Sequence, residues 1–175
     1  MSRLVRFAPL ALLGLLLAGL VWRLASPADT AVRSKLEGQP VPQFTLAAAI
    51  PSKPGLASTQ LASGQPRLVN IFASWCVPCI TEVQVLKMLQ RSGVPIDGIA
   101  VRDRPADIAR FLAENGDPYQ RIGSDPQSAV QIALGSAGVP ESFVVDGRGV
   151  IRYQHIGPIE ASDVPAILAR LEAAK

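Results

Sequence analysis

The two cysteines of this 175-residue chain, Cys76 and Cys79, are separated by only two residues. Thiols at this spacing can close a small reversible disulfide, and a thiolate can attack the disulfide of another molecule. Pro78, which lies between them, suits the first turn of a helix, where its missing N–H is not needed. The spacing predicts thiol–disulfide exchange, with the more N-terminal and more exposed Cys76 as the nucleophile and Cys79 as the resolving thiol.

A strand and a helix are predicted to position this pair. Residues 67–72 form an apolar run rich in β-forming residues, which predicts a buried strand ahead of the cysteines. After Cys79, apolar residues recur at three-residue steps, as on one face of a helix: Ile80, Val83, Leu86 and Leu89. The unpaired N–H groups and the dipole at a helix start favour negative charge, so a sulfur placed there is stabilised as the thiolate.

Two other uses of the cysteine pair remain open. A zinc site would need two more ligands, and the chain has no third cysteine and a single histidine, His155, which we expect on the surface or at a sheet edge. A structural disulfide suits an oxidising compartment, although a bridge over so short a loop removes little chain entropy. We expect neither use, and no metal or other cofactor is predicted.

A later string of residues, together with the cysteine motif, carries a family resemblance. Trp75 precedes the first cysteine, and residues 138–147 read Gly-Val-Pro-Glu-Ser-Phe-Val-Val-Asp-Gly; both strings resemble the thioredoxin superfamily. With Glu82, they closely resemble the membrane-anchored periplasmic thiol:disulfide interchange proteins of cytochrome c biogenesis, the DsbE or CcmG family. The resemblance covers residues 38–175. It implies a thioredoxin-like α/β fold, in which helices flank a central mixed β-sheet, with an N-terminal hairpin and a central helix–strand insertion.

The resemblance also implies a place where peptides dock beside the cysteines. In thioredoxin-like folds a cis proline packs against the Cys-x-x-Cys motif, and the backbone before it pairs with an incoming strand. By resemblance, Val139–Pro140 is that bond and the backbone of Val139 is the docking edge. An ordinary trans proline at a strand start is the alternative. Trp75 and Pro78 are expected to support this site.

Proton transfer to and from the resolving thiol requires another group. Many thioredoxins carry a buried Asp six residues before the first cysteine, but here Asn70 stands at that position and cannot take a proton. Transfer from Cys79 must therefore use water or a carboxylate, and Glu82 and Glu141 are candidates to line the active-site groove. For Glu82, a solvated charge on the helix surface is an equally open interpretation.

The N-terminal 25 residues have the pattern of a targeting segment. Arg3 and Arg6 precede an apolar run over residues 7–22, and Arg23 follows it. Positive charge before the run predicts a cytoplasmic N-terminus, with the rest of the chain outside the cytoplasm. The run is slightly short for a span of about 20 residues, and residues 26–28 are small enough for cleavage. We favour an uncleaved signal-anchor at 1–25, a linker at 26–37 and one thioredoxin-like domain at 38–175.

Periodicity and turn residues predict the other elements. Strands are expected at 44–46, 96–101, 119–122, 142–145 and 150–154, and helices at 105–114, 126–134 and 160–173. The string Asp-Gly-Arg-Gly at residues 146–149 predicts a hairpin turn between the last two strands.

These features together predict a protein-disulfide reductase in the periplasm, held in the bacterial inner membrane by one N-terminal helix. By resemblance, its substrate is the disulfide of apocytochrome c, or of a cytochrome c maturation protein that carries it, before haem attachment. A membrane thiol–disulfide electron donor would recharge the cysteines. A general periplasmic reductase or oxidant, or a non-enzymatic peptide-binding module, is the alternative. The net charge of +3 is small and no basic run is interleaved with aromatics, so nucleic-acid binding is not expected.

Overall fold

The computed structural model describes Pro9, residues 12–19 and residues 36–175. Residues 12–19 are helical, and among all described residues no helix is both long enough and apolar enough to cross a membrane. The charges that flank the predicted signal-anchor, Arg3, Arg6 and Arg23, lie outside the described residues, as do residues 26–35 of the predicted linker.

Strands and helices alternate through residues 36–175. In chain order they are β1 (Thr45–Leu46), β2 (Leu56–Ala57), α1 (Ser58–Leu61), β3 (Arg67–Phe72), α2 (Val77–Arg91), β4 (Ile96–Val101), α3 (Pro105–Asn115), β5 (Arg121–Asp125), α4 (Ala129–Ala133), β6 (Glu141–Val145), β7 (Ile151–Ile156) and α5 (Val164–Ala173). From β3 onward, this order is the one that the sequence predicts.

The central sheet has five strands in the order β5-β4-β3-β6-β7. The strand that leads to the cysteines, β3, lies in the middle, parallel to β4 and antiparallel to β6. Every residue of β3 is buried, as expected of a central strand that is covered on both faces. The sheet is therefore mixed and flanked by helices, which confirms the predicted thioredoxin-like fold.

The N-terminal hairpin of the predicted fold is also present. β1 pairs antiparallel with β2, and the chain after β1 donates a backbone hydrogen bond from Ala49 to Ile122 at the edge strand β5. The segment before β1 is held at the opposite edge, where Gly38 donates to the carbonyl of Ile151 at the start of β7.

Helix α2 packs on the sheet through three of its four predicted apolar residues, and only Ile80 differs from the prediction. Its buried residues are Cys79, Glu82, Val83, Leu86 and Leu89. Ile80, predicted to lie inward, is 39% exposed. Because one residue turns a helix by about 100°, a face that runs through Cys79 and Glu82 turns Ile80 outward.

The segments around β5 also differ from the prediction, because side chains replace the expected backbone pairing. The strand was predicted to begin at residue 119 but begins at Arg121. The N–H of Tyr119 donates to the carboxylate of Asp117 rather than to a neighbouring strand. Helix α4 begins at Ala129 rather than at residue 126. Asp125 explains this start, since its carboxylate accepts the N–H groups of residues 129 and 131, the first turn of α4.

Candidate active site

The Cys76–Cys79 pair forms a disulfide at the start of α2, with the two Cα atoms 5.3 Å apart. Cys76 is the N-cap residue of the helix, and its sulfur accepts the backbone N–H of Cys79 at 3.2 Å. Pro78 lies in the first helical turn, as predicted. The backbone thus places a hydrogen-bond donor against the sulfur expected to be the nucleophile, which favours its thiolate form after reduction.

Both sulfur-bearing residues are nearly covered in this oxidised state. Cys76 is 3% exposed and Cys79 is 1% exposed. Cys76 is therefore the more exposed of the two, as expected, but only by a small margin. Around it, Trp75 and Val77 are 58% and 72% exposed. Together with the exposed Ile80, these neighbours of the two cysteines in the chain form an apolar rim beside the disulfide.

The turn that carries Trp75 is held by residues the sequence analysis did not identify. Asp103, after β4, accepts hydrogen bonds from the N–H of Ser74 and from its hydroxyl, the latter at 2.7 Å. The indole N–H of Trp75 donates to the carbonyl of Arg102 at 3.2 Å. Arg102 has a φ of +50°, a left-handed conformation unusual for a residue with a side chain. No sequence signal marks Arg102 or Asp103, because they reach the motif only when β4 pairs beside β3.

The Val139–Pro140 peptide bond is cis, as the resemblance implies. The carbonyl of Gly138 accepts hydrogen bonds from Gln131 and Ser136, each at 3.0 Å. The N–H and C=O of Val139, by contrast, have no hydrogen-bond partner among the described residues. After it, the carbonyl of Pro140 accepts the N–H of Gly157 at 3.0 Å, so the loop is held on both sides of one free peptide edge.

A shallow groove joins this edge to the disulfide region. It has a volume of about 340 Å³, and its lining includes Trp75, Arg102, Gln131 and Val139. An extended peptide lying in this groove would run along the free backbone of Val139 and past the exposed indole of Trp75.

Glu141 lies beneath this loop rather than in the groove that it was predicted to line. The residue is 2% exposed. One carboxylate oxygen accepts the N–H groups of Ala137 at 3.0 Å and Gly138 at 3.2 Å, and the other accepts the side-chain amide of Gln154 at 2.6 Å. Because one oxygen accepts two backbone N–H groups of the loop, the carboxylate acts as a brace for the cis-proline loop.

Glu82 is buried, so the interpretation as a solvated helix charge is wrong. It is 1% exposed and lies one turn beyond Cys79 on the sheet-facing side of α2. Its carboxylate accepts the N–H of Ile159 at 3.0 Å and the side-chain amide of Asn70 at 3.1 Å. Burial raises the pKa of Glu82 from 4.5 to about 7, against the opposing effect of these two hydrogen bonds. The carboxyl therefore titrates near neutral pH, as a proton acceptor for a thiol requires.

Asn70 connects Glu82 to a tyrosine that the sequence analysis placed only within a strand. The hydroxyl of Tyr119 donates to the Asn70 side-chain oxygen at 2.7 Å, and the Asn70 amide also donates to Ser142 at 3.0 Å. Burial and the nearby charge of Glu82 raise the pKa of Tyr119 well above its usual value of 10. Tyr119 thus remains a neutral hydrogen-bond donor at physiological pH.

His155 lies on the edge strand β7, in the position expected for it. Its ring Nε2 is 3.2 Å from the carbonyl oxygen of Pro158 and 3.8 Å from a carboxylate oxygen of Asp163. Within the described parts of the chain, no group of His, Cys, Asp and Glu side chains is arranged to hold a metal ion.

Known proteins are similar to this chain in sequence. The Redoxin family matches residues 36–171. The thiol:disulfide interchange protein DsbE of Escherichia coli K12 is 35% identical over 165 residues, which cover 91% of this chain and 88% of that protein. The thiol:disulfide interchange protein HelX of Rhodobacter capsulatus is 46% identical over 99 residues, which cover 57% of this chain and 56% of that protein.

Solved structures share the fold. The putative thiol:disulfide interchange protein DsbE of Chlorobium tepidum superposes with a TM-score of 0.62 at 23% identity, covering 79% of this chain and 96% of that one. The thioredoxin domain of a thiol-disulfide oxidoreductase from Bacteroides vulgatus gives a TM-score of 0.65 at 17% identity, covering 79% of this chain and 98% of that one. The chain therefore belongs to the DsbE family of thiol:disulfide interchange proteins, within the Redoxin family, and is a thiol–disulfide oxidoreductase of the thioredoxin fold.

Proposed function

We propose that this protein reduces the disulfide of apocytochrome c, or of a maturation protein that carries it, before haem attachment. The observation that carries this proposal is the Cys76–Cys79 disulfide at a helix start, next to the unpaired backbone of Val139. A dithiol at a helix start supplies the chemistry, and a free peptide edge beside it suits a partner that arrives as an extended polypeptide.

The first step joins the substrate to the protein through a mixed disulfide. In the reduced form, the Cys76 thiolate attacks one sulfur of the substrate disulfide. A bond forms between the Cys76 sulfur and that sulfur, the substrate S–S bond breaks, and the departing substrate thiolate takes a proton from solvent. During this step the substrate's backbone pairs with Val139, and its side chains contact the apolar rim of Trp75, Val77 and Ile80.

The second step releases the reduced substrate. Cys79 gives its proton to the Glu82 carboxylate, and the resulting Cys79 thiolate attacks the Cys76 sulfur. The Cys76–Cys79 bond forms, the mixed disulfide breaks, and the second substrate thiolate leaves and is protonated. Two electrons have then passed from the protein to the substrate, and Glu82 returns its proton to solvent. A membrane-bound thiol–disulfide donor must supply two electrons before the next cycle, since the periplasm is oxidising.

We further propose that residues 1–25 are a signal-anchor that holds the catalytic domain at the periplasmic face of the inner membrane. The arginines before the apolar run support this orientation. A tethered reductase would meet both a membrane electron donor and a membrane-associated maturation system without diffusing away.

A trapping experiment tests the substrate. Cys79→Ser cannot resolve a mixed disulfide, so its substrates stay joined to Cys76 and are visible on non-reducing gels of the native host. Recovery of apocytochrome c or its maturation proteins, released by reductant, supports the proposal. Cys76→Ser expressed at the same level is the matched control and forms no such adducts.

Two other outcomes would overturn the assigned substrate. A broad set of unrelated envelope proteins joined to Cys76 would indicate a general periplasmic reductase or oxidant. The absence of any adduct, in cells where cytochrome c matures normally with Cys76→Ala, would indicate a module that binds peptides without redox exchange.

The brace under the docking edge gives a separate prediction. Glu141→Ala leaves the N–H groups of Ala137 and Gly138 without an acceptor, so we expect the free energy of unfolding to fall by about 3 kcal/mol and the KM for a peptide disulfide to rise severalfold. Glu141→Gln keeps an oxygen against the two N–H groups and is the control, with an expected loss of about 1 kcal/mol. Urea titration of the oxidised protein and steady-state kinetics measure both; equal KM values for wild type and Glu141→Ala would contradict the role of the brace in docking.

A further inference from the structure

Asn70 of β3 lies at the centre of a buried polar network that it forms with residues from three other parts of the chain. Its side-chain oxygen accepts the hydroxyl of Tyr119, and its NH₂ group donates to Glu82 and Ser142. All four residues are buried. An amide has nearly the same shape when its oxygen and nitrogen are exchanged, so the neighbouring donors and acceptors decide which way it faces.

The hydroxyl of Tyr119 favours the observed orientation. Among the described residues, the oxygen of Asn70 is the only acceptor for this buried O–H. If the amide were turned over, its NH₂ group would face the phenol oxygen and the Tyr119 O–H would lose its acceptor, which is unfavourable in a buried site. The hydroxyl of Ser142 can either accept from NH₂ or donate to C=O, so it suits both orientations.

The orientation of the amide matters for the carboxyl that it faces. As observed, an N–H of Asn70 points at a Glu82 oxygen 3.1 Å away, and this bond favours the ionised carboxylate. An amide turned over would present its oxygen, which only a protonated carboxyl can match with its own O–H. The two orientations of one amide therefore favour opposite protonation states of Glu82.

We propose that Tyr119 is a positioning residue for disulfide exchange: through Asn70, its hydroxyl holds Glu82 ready to accept the proton of Cys79. This inference rests on the proposed function, in which Glu82 is that acceptor. Tyr119 itself does not exchange protons, because Asn70 lies between it and Glu82. Its hydroxyl acts only by fixing the direction of the Asn70 amide.

The other ionisable groups near this network are few. His155 of β7 is paired directly with Ser142 of β6, so its side chain is on the same side of the sheet. On α2, Cys79 lies one turn before Glu82. On the far side of Tyr119, the Asp117 carboxylate is paired with Lys53 at 2.7 Å. The ring of Tyr119 stacks on Phe72 with centroids 4.7 Å apart, so Tyr119→Phe retains the packing and removes only the hydroxyl.

The test measures the titration of Glu82 in the full chain, with and without this hydroxyl. Infrared difference spectra against pH follow the C=O stretch of protonated Glu82, and Glu82→Gln assigns the band. In Tyr119→Phe we expect the midpoint to rise by about one pH unit. The rate at which Cys79 resolves a preformed mixed disulfide with a peptide should then fall about fivefold at pH 7, and recover to the wild-type value at high pH.

Ser142→Ala is the matched control, because it also removes one hydrogen bond to Asn70 but leaves Tyr119 to orient the amide. We expect its infrared midpoint to equal that of the wild type. The proposal is overturned if Tyr119→Phe titrates at the wild-type pH, if it slows resolution equally at every pH, or if Ser142→Ala moves the midpoint as far. A failure of the proposed function has a different signature: Glu82→Gln would then resolve the mixed disulfide at the wild-type rate, while the infrared midpoint still tests the positioning role of Tyr119.

Discussion

Replacing Cys76 with serine is expected to abolish disulfide reduction. The rate with a peptide that contains a Cys-x-x-Cys disulfide should fall about a thousandfold or more, since a serine hydroxyl at this position has neither the acidity nor the nucleophilicity of a thiol. Stopped-flow kinetics with the reduced protein measure this rate. In the same assay Cys79→Ser should react once, form a stoichiometric adduct through Cys76, and stop.

A control on the same helix separates loss of the nucleophile from damage to α2. Met88 is partly exposed and lies three turns beyond Cys76, so Met88→Ala should reduce the peptide at the wild-type rate. Retention of more than a few per cent of the activity by Cys76→Ser would show that Cys79, rather than Cys76, attacks the substrate. The order of attack in the proposed mechanism would then be wrong.

Glu82 is expected to make the stability of the oxidised protein fall as pH rises towards neutrality. The pKa of its carboxyl is raised from 4.5 in the unfolded chain to about 7 in the fold. Between these values the unfolded chain has released the proton while the native state still holds it, so the native state loses stability with each unit of pH. The loss approaches about 3 kcal/mol by pH 7 and is absent below pH 4.5.

Glu82→Gln removes this titration, and comparison with the wild type isolates it. The variant loses a constant amount at all pH values, because its NH₂ group must face a donor at Ile159 or Asn70. The wild type loses stability between pH 4 and pH 8, and the variant does not. The free energy of unfolding of the variant minus that of the wild type should therefore rise by about 3 kcal/mol over this range. Urea titrations of the two oxidised proteins at both pH values check this difference, and a difference that does not change with pH would show that Glu82 has an ordinary pKa.

The same substitution should also slow catalysis. Without a carboxylate to accept its proton, Cys79 must use water, so resolution of the mixed disulfide at pH 7 should be about a hundredfold slower in Glu82→Gln. The first attack by Cys76 should keep its wild-type rate, because Glu82 takes no part in it. Single-turnover kinetics resolve the two steps.

The chemistry and the fold class could be predicted from short stretches of the chain. Two thiols separated by two residues, after an apolar run and before a helical pattern, indicate a reversible disulfide at a helix start. The Cys-Val-Pro-Cys motif and the later Gly-Val-Pro-Glu string also resemble the thioredoxin superfamily, and that resemblance implies the fold. These signals are local, since each depends on neighbours within about one turn or one strand.

The roles of the two glutamates could not be predicted in the same way. Glu82 is buried because Ile159, 77 residues later in the chain, closes over it and donates its N–H. Glu141 is a brace because its oxygens meet the loop just before it and Gln154 on the next strand. Sequence shows one carboxyl three residues after Cys79 and another directly after the Val-Pro string. Only packing shows that the first has a pKa raised to about 7 and that the second supports the cis-proline loop.

The amino-acid sequence by itself therefore predicted a pair of cysteines suited to disulfide exchange and, by resemblance to a known family, the fold that presents them. The tertiary structure decided which carboxyl is buried with a raised pKa, which peptide edge is free and which distant residues hold them. Tyr119 and Asn70 are 49 residues apart, and Ser74 and Asp103 are 29 apart, so neither contact has a local pattern. Protonation depends on burial and on hydrogen-bond partners, and these exist only after β3, α2 and the segment before β5 have packed together.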